Sequence, residues 1–262
     1  MRRSPSALLD SRYAPPPEPG RVAWLSAQPF AHRGLHGDGR VENSRAAFAA
    51  AIAAGHGIEC DVQLSRDGIA FVFHDDALDR LAGRPDRVAS LSSDALAGIA
   101  LTGSGETIPR LSEMLRLVDG QVPLLIEIKS TNRRVAPICQ AVVRALEGYR
   151  GPLGVMSFNP LVGGWFARHA PRIIRGLVVT EEGKHTLRGR IERYLWLWRA
   201  QAQFLAYDIR DLPSRFAAAQ RARGLPVTTW TVRTPGQLQT ARAEADAPIH
   251  EMPLEAFGKQ PI

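Results

Sequence analysis

The stretch Ala31-His32-Arg33-Gly34, Glu42-Asn43-Ser44, Gly57-Ile58-Glu59-Cys60-Asp61-Val62 and Ala70-Phe71-Val72-Phe73-His74-Asp75 decides how this chain is read. Within it, two histidines, several acids and an arginine follow short apolar runs. Ile58 and Val62, with Ala70 to Phe73, have strand composition. Ser65-Arg66-Asp67-Gly68 between them is a turn with a hairpin signal. Glu59 and Asp61 are two apart, so a strand over 57–63 turns both to one face. Two carboxylates side by side repel and desolvate each other. A cation between them removes that cost, and hard oxygen ligands suit Mg2+ or Ca2+. A solvated edge strand is the plainer alternative, and the apolar neighbours speak against it.

Working outward, the chain alternates strands with helices. Strands are expected at 30–32, 57–63, 123–128, 152–157, 173–179, 203–207, 226–232 and 247–250. Helices are expected at 45–54, with Ser44 as N-cap and Gly55 as stop, and at 111–118, 132–147, 159–168, 186–200, 213–222 and 235–243. Such alternation means a parallel sheet. Eight strands in 262 residues suit a (β/α)8 barrel, which takes about 250. The expected fold is therefore α/β, a TIM barrel with a small insertion after the second strand region. Residues 1–28 read as an N-terminal extension and 29–262 as the barrel, with 76–107, polar and glycine-punctuated, as an inserted lobe. Pro15 to Gly20 should be neither helix nor central strand. His32, Glu59, Asp61, Glu127, Ser157 and Trp230 then fall at strand carboxyl ends, where barrels carry their active sites.

The net charge is +7 and the pI about 10.1. That favours anionic partners, but no recognition motif or tail of like charge supports nucleic-acid binding. Two cysteines form no disulfide or zinc framework and suit a reducing compartment. The basic start lacks the apolar core of a signal peptide, and no run approaches ~18 apolar residues. A cytoplasmic protein is expected, with peripheral membrane contact left open.

The order His-Arg-Gly, Glu-Asn-Ser, Glu-x-Asp-Val-Gln-Leu, Asp-Gly, His-Asp resembles the glycerophosphodiester phosphodiesterase family over roughly residues 28 to 253. Glu127-Ile128-Lys129 looks like that family's third acidic ligand and phosphate-binding lysine. Ser157-Phe158 and Trp230-Thr231-Val232 look like its later strand-end motifs. The resemblance implies metal-dependent hydrolysis of small-molecule glycerophosphodiesters to glycerol 3-phosphate and an alcohol. It implies one divalent cation on Glu59, Asp61 and Glu127, and a glycerol hydroxyl attacking phosphorus to give a cyclic phosphate that water opens. Arg33 and Lys129 would grip the phosphate, Arg in bidentate fashion and Lys as a point charge. His32 and His74 would be the acid–base pair, since an imidazole titrates near working pH. Glu42 is either a further ligand or substrate contact, or a charge that suits the following helix dipole. Trp230 either lines the pocket or packs as core. The other histidines read as non-catalytic. Two departures stand out: Arg233 where the family often has Asn, and Asp246-Ala-Pro-Ile-His-Glu251 as the last strand segment. Competing readings are a lysophospholipase D-like activity on lipids and a catalytically idle binder of anionic phosphates.

The segment from Lys184 to Arg199 is basic and aromatic. Ile191, Tyr194, Leu195 and Trp198 share one helical face and Arg190, Arg193 and Leu197 another. It reads as an ordinary barrel helix or as a helix whose tryptophans face an anionic lipid surface.

Overall fold

The structure, a computed structural model, describes residues 5–258. The Met1-Arg2-Arg3 start of the extension and residues 259–262 of the expected barrel domain lie outside it. By contact density the chain divides into two compact units. One is built on residues 30–153 with 253–262, the other on 1–29 with 154–252.

The chain opens with helix α1 (Pro5–Tyr13) and a single turn, α2 (Pro19–Val22). The sequence reading gave the extension no helix. Pro19 occupies the first helical position, where a missing N–H costs nothing, so the proline run ends where α2 starts. Asp10 anchors the extension. It accepts from Trp198 Nε1 at 2.7 Å and Gln220 Nε2 at 3.4 Å. Ala14 is fully buried in the core cluster that also holds Leu177, Leu205 and Val227.

In the first unit, β1 (Phe30–His32) leads through a tight turn to α3 (Arg45–Ala53), then β2 (Gly57–Leu64) and β3 (Ala70–Val72). Ser44 caps α3, its Oγ accepting from Ala47 N at 3.1 Å. The turn before it is constrained. Arg33 has φ 56°, and Gly34 has φ 78°. A Cβ on Gly34 would sit 2.8 Å from the Ala47 carbonyl carbon. Gly34→Ala should therefore cost at least about 1–3 kcal/mol, read as a lower midpoint in denaturant unfolding; an unchanged midpoint would mean that the turn relaxes freely.

The lobe after β3 contains α4 (Asp79–Ala82) and α5 (Ser93–Ala97). It is less polar inside than its sequence suggested. Phe71, Phe73, Leu78, Val88, Leu96, Ile99, Leu101 and Ile108 bury together, each contributing about 1.5–3 kcal/mol. Next come α6 (Leu111–Val118), β4 (Leu124–Ile128) and α7 (Ala136–Ala145). Leu111, Met114, Leu115 and Val118 form the buried face of α6 at the helical spacing. Strand β2 is parallel to β1 and to β4, and antiparallel to β3. The register sets His32 beside Glu59 and Asp61 beside Glu127.

The second unit continues the alternation with β5 (Leu153–Ser157), α8 (Pro160–His169), β6 (Ile174–Val179), α9 (Leu187–Ala200), β7 (Phe204–Asp208), α10 (Arg215–Ala222), β8 (Val227–Val232), α11 (Pro235–Glu244) and β9 (Ala247–His250). Strands β5 to β9 pair in parallel, each with the next. Every strand expected from the sequence occurs. Helices α8 and α9 cross closely, for a Cβ on Gly163 would lie 2.6 Å from Ala200 O.

The face assignment on α9 needs correction. Gly189, Arg193, Leu197 and Ala200 are its buried side, so of the stripe grouped as Arg190, Arg193 and Leu197 the last two point in while Arg190 is exposed. Arg193 tolerates this because its Nη2 lies 2.9 Å from Glu181 Oε2, and a buried charge persists only when paired. Of the two readings of this helix, the ordinary barrel helix fits the tryptophans, both half-buried. Trp196 lies under the Lys184 ammonium at 3.9 Å, and Trp198 is held by Asp10. Among the described residues no helix is long and apolar enough to cross a membrane.

Candidate active site

Period-two alternation along β2 turns Glu59 and Asp61 to one face and Cys60 and Val62 to the other. All four are buried. Strand β4 adds Glu127 opposite Asp61. Ligand oxygens of Glu59, Asp61 and Glu127 converge within 4.8 Å of one another. Lys129 folds back onto them, its Nζ 2.8 Å from Asp61 Oδ1 and 2.6 Å from Glu127 Oε1. The Arg33 backbone N–H donates to Glu59 Oε2 at 3.2 Å. Its Nε lies 3.1 Å from Asp61 Oδ2, an ion pair whose alignment falls short of a hydrogen bond. Nε2 of His32 is 3.9 Å from Glu59 Oε2.

The electrostatics follow from this packing. Burial, reinforced by Asp61 and Glu127, raises the Glu59 carboxyl well above the usual carboxylate range. Burial would also raise Asp61, but the Lys129 ammonium and the Arg33 guanidinium outweigh it and hold Asp61 well below that range. Glu127 stays raised by burial despite Lys129. Lys129 itself is raised, because Asp61 and Glu127 outweigh its desolvation.

Two fixed cations thus face three buried carboxylates, and Glu59 Oε1 has no hydrogen-bond partner. A buried carboxylate oxygen without a donor is costly. These residues fit a hard divalent cation such as Mg2+ or Ca2+, which binds through oxygen.

His74 follows β3. When protonated it would act electrostatically on Asp61 and Glu127, and its Nδ1 is 2.6 Å from Asp75 Oδ1. Asp75 is braced by Arg80 Nε at 2.6 Å. Glu42 stands outside the converging oxygens. It bridges Arg33 Nη1 at 2.7 Å and Arg80 Nη1 at 2.9 Å. Burial would raise its carboxyl, but Arg80 and Arg33 hold it lowered. Trp230 belongs to the other unit. Its Nε1 donates to Ala206 O at 2.9 Å, and its ring meets Phe158 edge-on at 5.5 Å.

Three residues here carried no role in the sequence reading. Asn43, at φ 56°, donates Nδ2 to Asp61 Oδ2 at 3.0 Å, and its Oδ1 accepts from Asp61 N at 3.3 Å. Asp75 and Arg80 orient His74. The Glu-Asn-Ser and His-Asp pairs were visible as motifs, but nothing local says which atom each would meet.

The architecture has solved counterparts. An Oleispira antarctica phosphodiesterase, determined in complex with the product sn-glycerol-3-phosphate, is 24% identical with a TM-score of 0.78, covering 91% of this chain and 98% of that one. The glycerophosphodiester phosphodiesterase of Thermotoga maritima is 25% identical with a TM-score of 0.70, over 87% of this chain and 95% of that one. These likenesses show the fold, a (β/α)8 barrel.

In sequence, a glycerophosphodiester phosphodiesterase of Caldanaerobacter subterraneus subsp. tengcongensis is 29% identical over 213 residues, 78% of this chain and 84% of that one. A shorter match to the Bacillus altitudinis enzyme of the same name, 36% identical over 110 residues, spans 39% of this chain and 44% of that one. The profile of the glycerophosphoryl diester phosphodiesterase family matches residues 32–256, and the chain belongs to that family. It is an enzyme of that class, a phosphoric diester hydrolase.

Proposed function

We propose that the enzyme hydrolyses glycerophosphodiesters to glycerol 3-phosphate and an alcohol, with one divalent cation, Mg2+ or Ca2+, on Glu59, Asp61 and Glu127. The observation that carries this reading is the convergence of three buried carboxylates, one with an orphaned oxygen, beside Arg33, Lys129 and two histidines. When bound, the cation supplies Lewis-acid stabilisation of the phosphoryl oxygens. Lys129 and Arg33, beside the acid cluster, would grip the phosphate oxygens and stabilise their charge in the transition state. His32 and His74 move the protons, one towards the leaving alkoxide and one from the attacking hydroxyl. Asp75 accepts from His74 Nδ1, so the proton in play sits at Nε2. Glu42 holds Arg33 in position rather than meeting the substrate. The product of the Oleispira antarctica protein, sn-glycerol-3-phosphate, is the product expected here. The lysophospholipid and idle-binder alternatives are not favoured by the relatives. A cytoplasmic site of action belongs to the same proposal, in keeping with two free, buried cysteines.

Release of glycerol 3-phosphate from glycerophosphocholine is expected to stop in excess chelator and to return with Mg2+ or Ca2+. Full turnover in chelator, with no metal retained by elemental analysis, would overturn it.

Peripheral contact with an anionic membrane has its own observation. Leu187, Ile191 and Leu195 are 69%, 53% and 53% exposed, one helical turn apart on α9. Arg188 and Arg199 lie on one side of that stripe and Arg190 on the other. Anionic vesicles should bind the enzyme at low salt and release it as salt rises. Ile191→Asp with Leu195→Asp should abolish the binding and leave turnover of soluble substrate intact. Absence of binding at low salt would remove this contact from the reading.

A further inference from the structure

A cavity of about 580 Å³ lies in the unit built on 1–29 and 154–252, outside the acid cluster. It opens between the segment after β6, the first turns of α9 and the start of α10. Its size falls in the range of small-molecule sites, roughly 300–1,000 Å³. None of its lining residues has a part in the chemistry described above.

Charge bookkeeping shows what the cavity lacks. Glu181 is fully occupied: it accepts from Tyr207 Oη, from Ser214 Oγ at 2.7 Å and from Arg193 Nη2 at 2.9 Å. Arg210 is held by Asp208 at 2.6 Å and Glu182 at 3.1 Å. Asp211 accepts from the Glu181 backbone N–H at 2.5 Å and from Thr180 Oγ1 at 3.2 Å. Two cations remain. Arg190 and Arg215 line the cavity, are exposed, and meet no acid among the described residues.

A second observation points the same way. Arg193 lines the cavity, is 7% exposed, and its Nε has no hydrogen-bond partner. A buried guanidinium N–H left without an acceptor costs about as much as a lost hydrogen bond to a charged group. The cavity also takes in Ser214, Arg215 and Phe216, the N-cap and first residues of α10. The first amides of a helix have no acceptor inside it and favour an anion.

We propose that this cavity is a second phosphate site, which takes the doubly charged head of a phosphate monoester. Two free arginines match a dianion better than a singly charged diester or carboxylate, and the guanidinium fork matches its oxygens. Tyr194 and Phe216 supply an apolar wall for the organic part of the ligand. The proposal does not rest on the reaction at the acid cluster.

Calorimetric titration of the full-length enzyme in chelator tests it, with inorganic phosphate, glycerol 3-phosphate and a short-chain phosphatidic acid as probes. At least one probe should bind. Arg190→Glu and Arg215→Glu, both exposed and so compatible with folding, should each weaken it at least about tenfold. Lys129→Gln, which removes the phosphate-gripping cation of the acid cluster, should leave that binding in place. Binding of the soluble probes assigns a free metabolite as the source, and binding of phosphatidic acid alone assigns a lipid headgroup. The proposal is overturned if no probe binds, if charge reversal at 190 and 215 leaves affinity unchanged, or if Lys129→Gln removes all binding. Activity in metal is measured separately, so loss of the proposed phosphodiesterase reading would leave this test intact.

Discussion

His32→Ala and His74→Ala are each expected to lower kcat by about 10²–10⁴-fold, the usual worth of a general acid or base. The geometry argues for unequal side effects. His32 is 8% exposed and sits in register beside Glu59, so its removal leaves a small void next to the acid cluster and should also lower thermal stability. The His74 side chain is 32% exposed, and its loss should hardly affect folding. Asp75→Asn, which swaps the acceptor of the Nδ1 contact for an amide, should lower kcat without changing KM if Asp75 acts by orienting His74. The pH profile of kcat/KM should lose one limb in each histidine variant. A normal rate from either alanine variant would remove that residue from the proton relay.

The second large effect is at Glu59. Glu59→Gln keeps the shape of the side chain and removes one of three mutually repelling buried carboxylates. Turnover should fall by at least about 10³-fold, since a metal's charge stabilisation is worth several kcal/mol. Stability should move the other way. In chelator the variant should melt at or above the temperature of the wild type, because the wild-type carboxyl resists ionisation there. With divalent cation at about 100 times its Kd, the wild type should gain about 2.7 kcal/mol through binding linkage. The variant should gain almost none. Equal cation-induced stabilisation in both proteins would show that Glu59 is not a ligand.

Both predictions rest on residues that stand out in the sequence, and the reason is local. Alternation along a strand is a property of the backbone, so Glu59 and Asp61 had to share a face wherever β2 packed. Hydroxyl capping is equally local, which is why Ser44 could be read as the start of α3. The eight strands were legible because each is a short apolar run between helical periods. A buried parallel strand such as Leu124 to Ile128 has no other use for so many apolar side chains.

The register between strands is a different matter. That Asp61 meets Glu127 and that His32 meets Glu59 depends on how far the strands slide, which no single segment encodes. The same holds for Asn43 on Asp61, and for Arg80 joining Asp75 to Glu42. Asn43 and Asp61, and Arg80 and Glu42, come from segments that only the fold brings together. Helix α9 shows the limit most plainly. Its periodicity is real, yet the side it buries carries Arg193, because Glu181 waits there to pair with it. Helix α1 went unread for a related reason: a short helix draws its stability from what it packs on, and Trp198 and Gln220 lie nearly two hundred residues or more away. The amino-acid sequence by itself determined the strand and helix alternation, the paired carboxylates and the family. Only the tertiary structure decided which charges meet, since an ion pair forms where two surfaces close on each other and neither surface carries that distance alone.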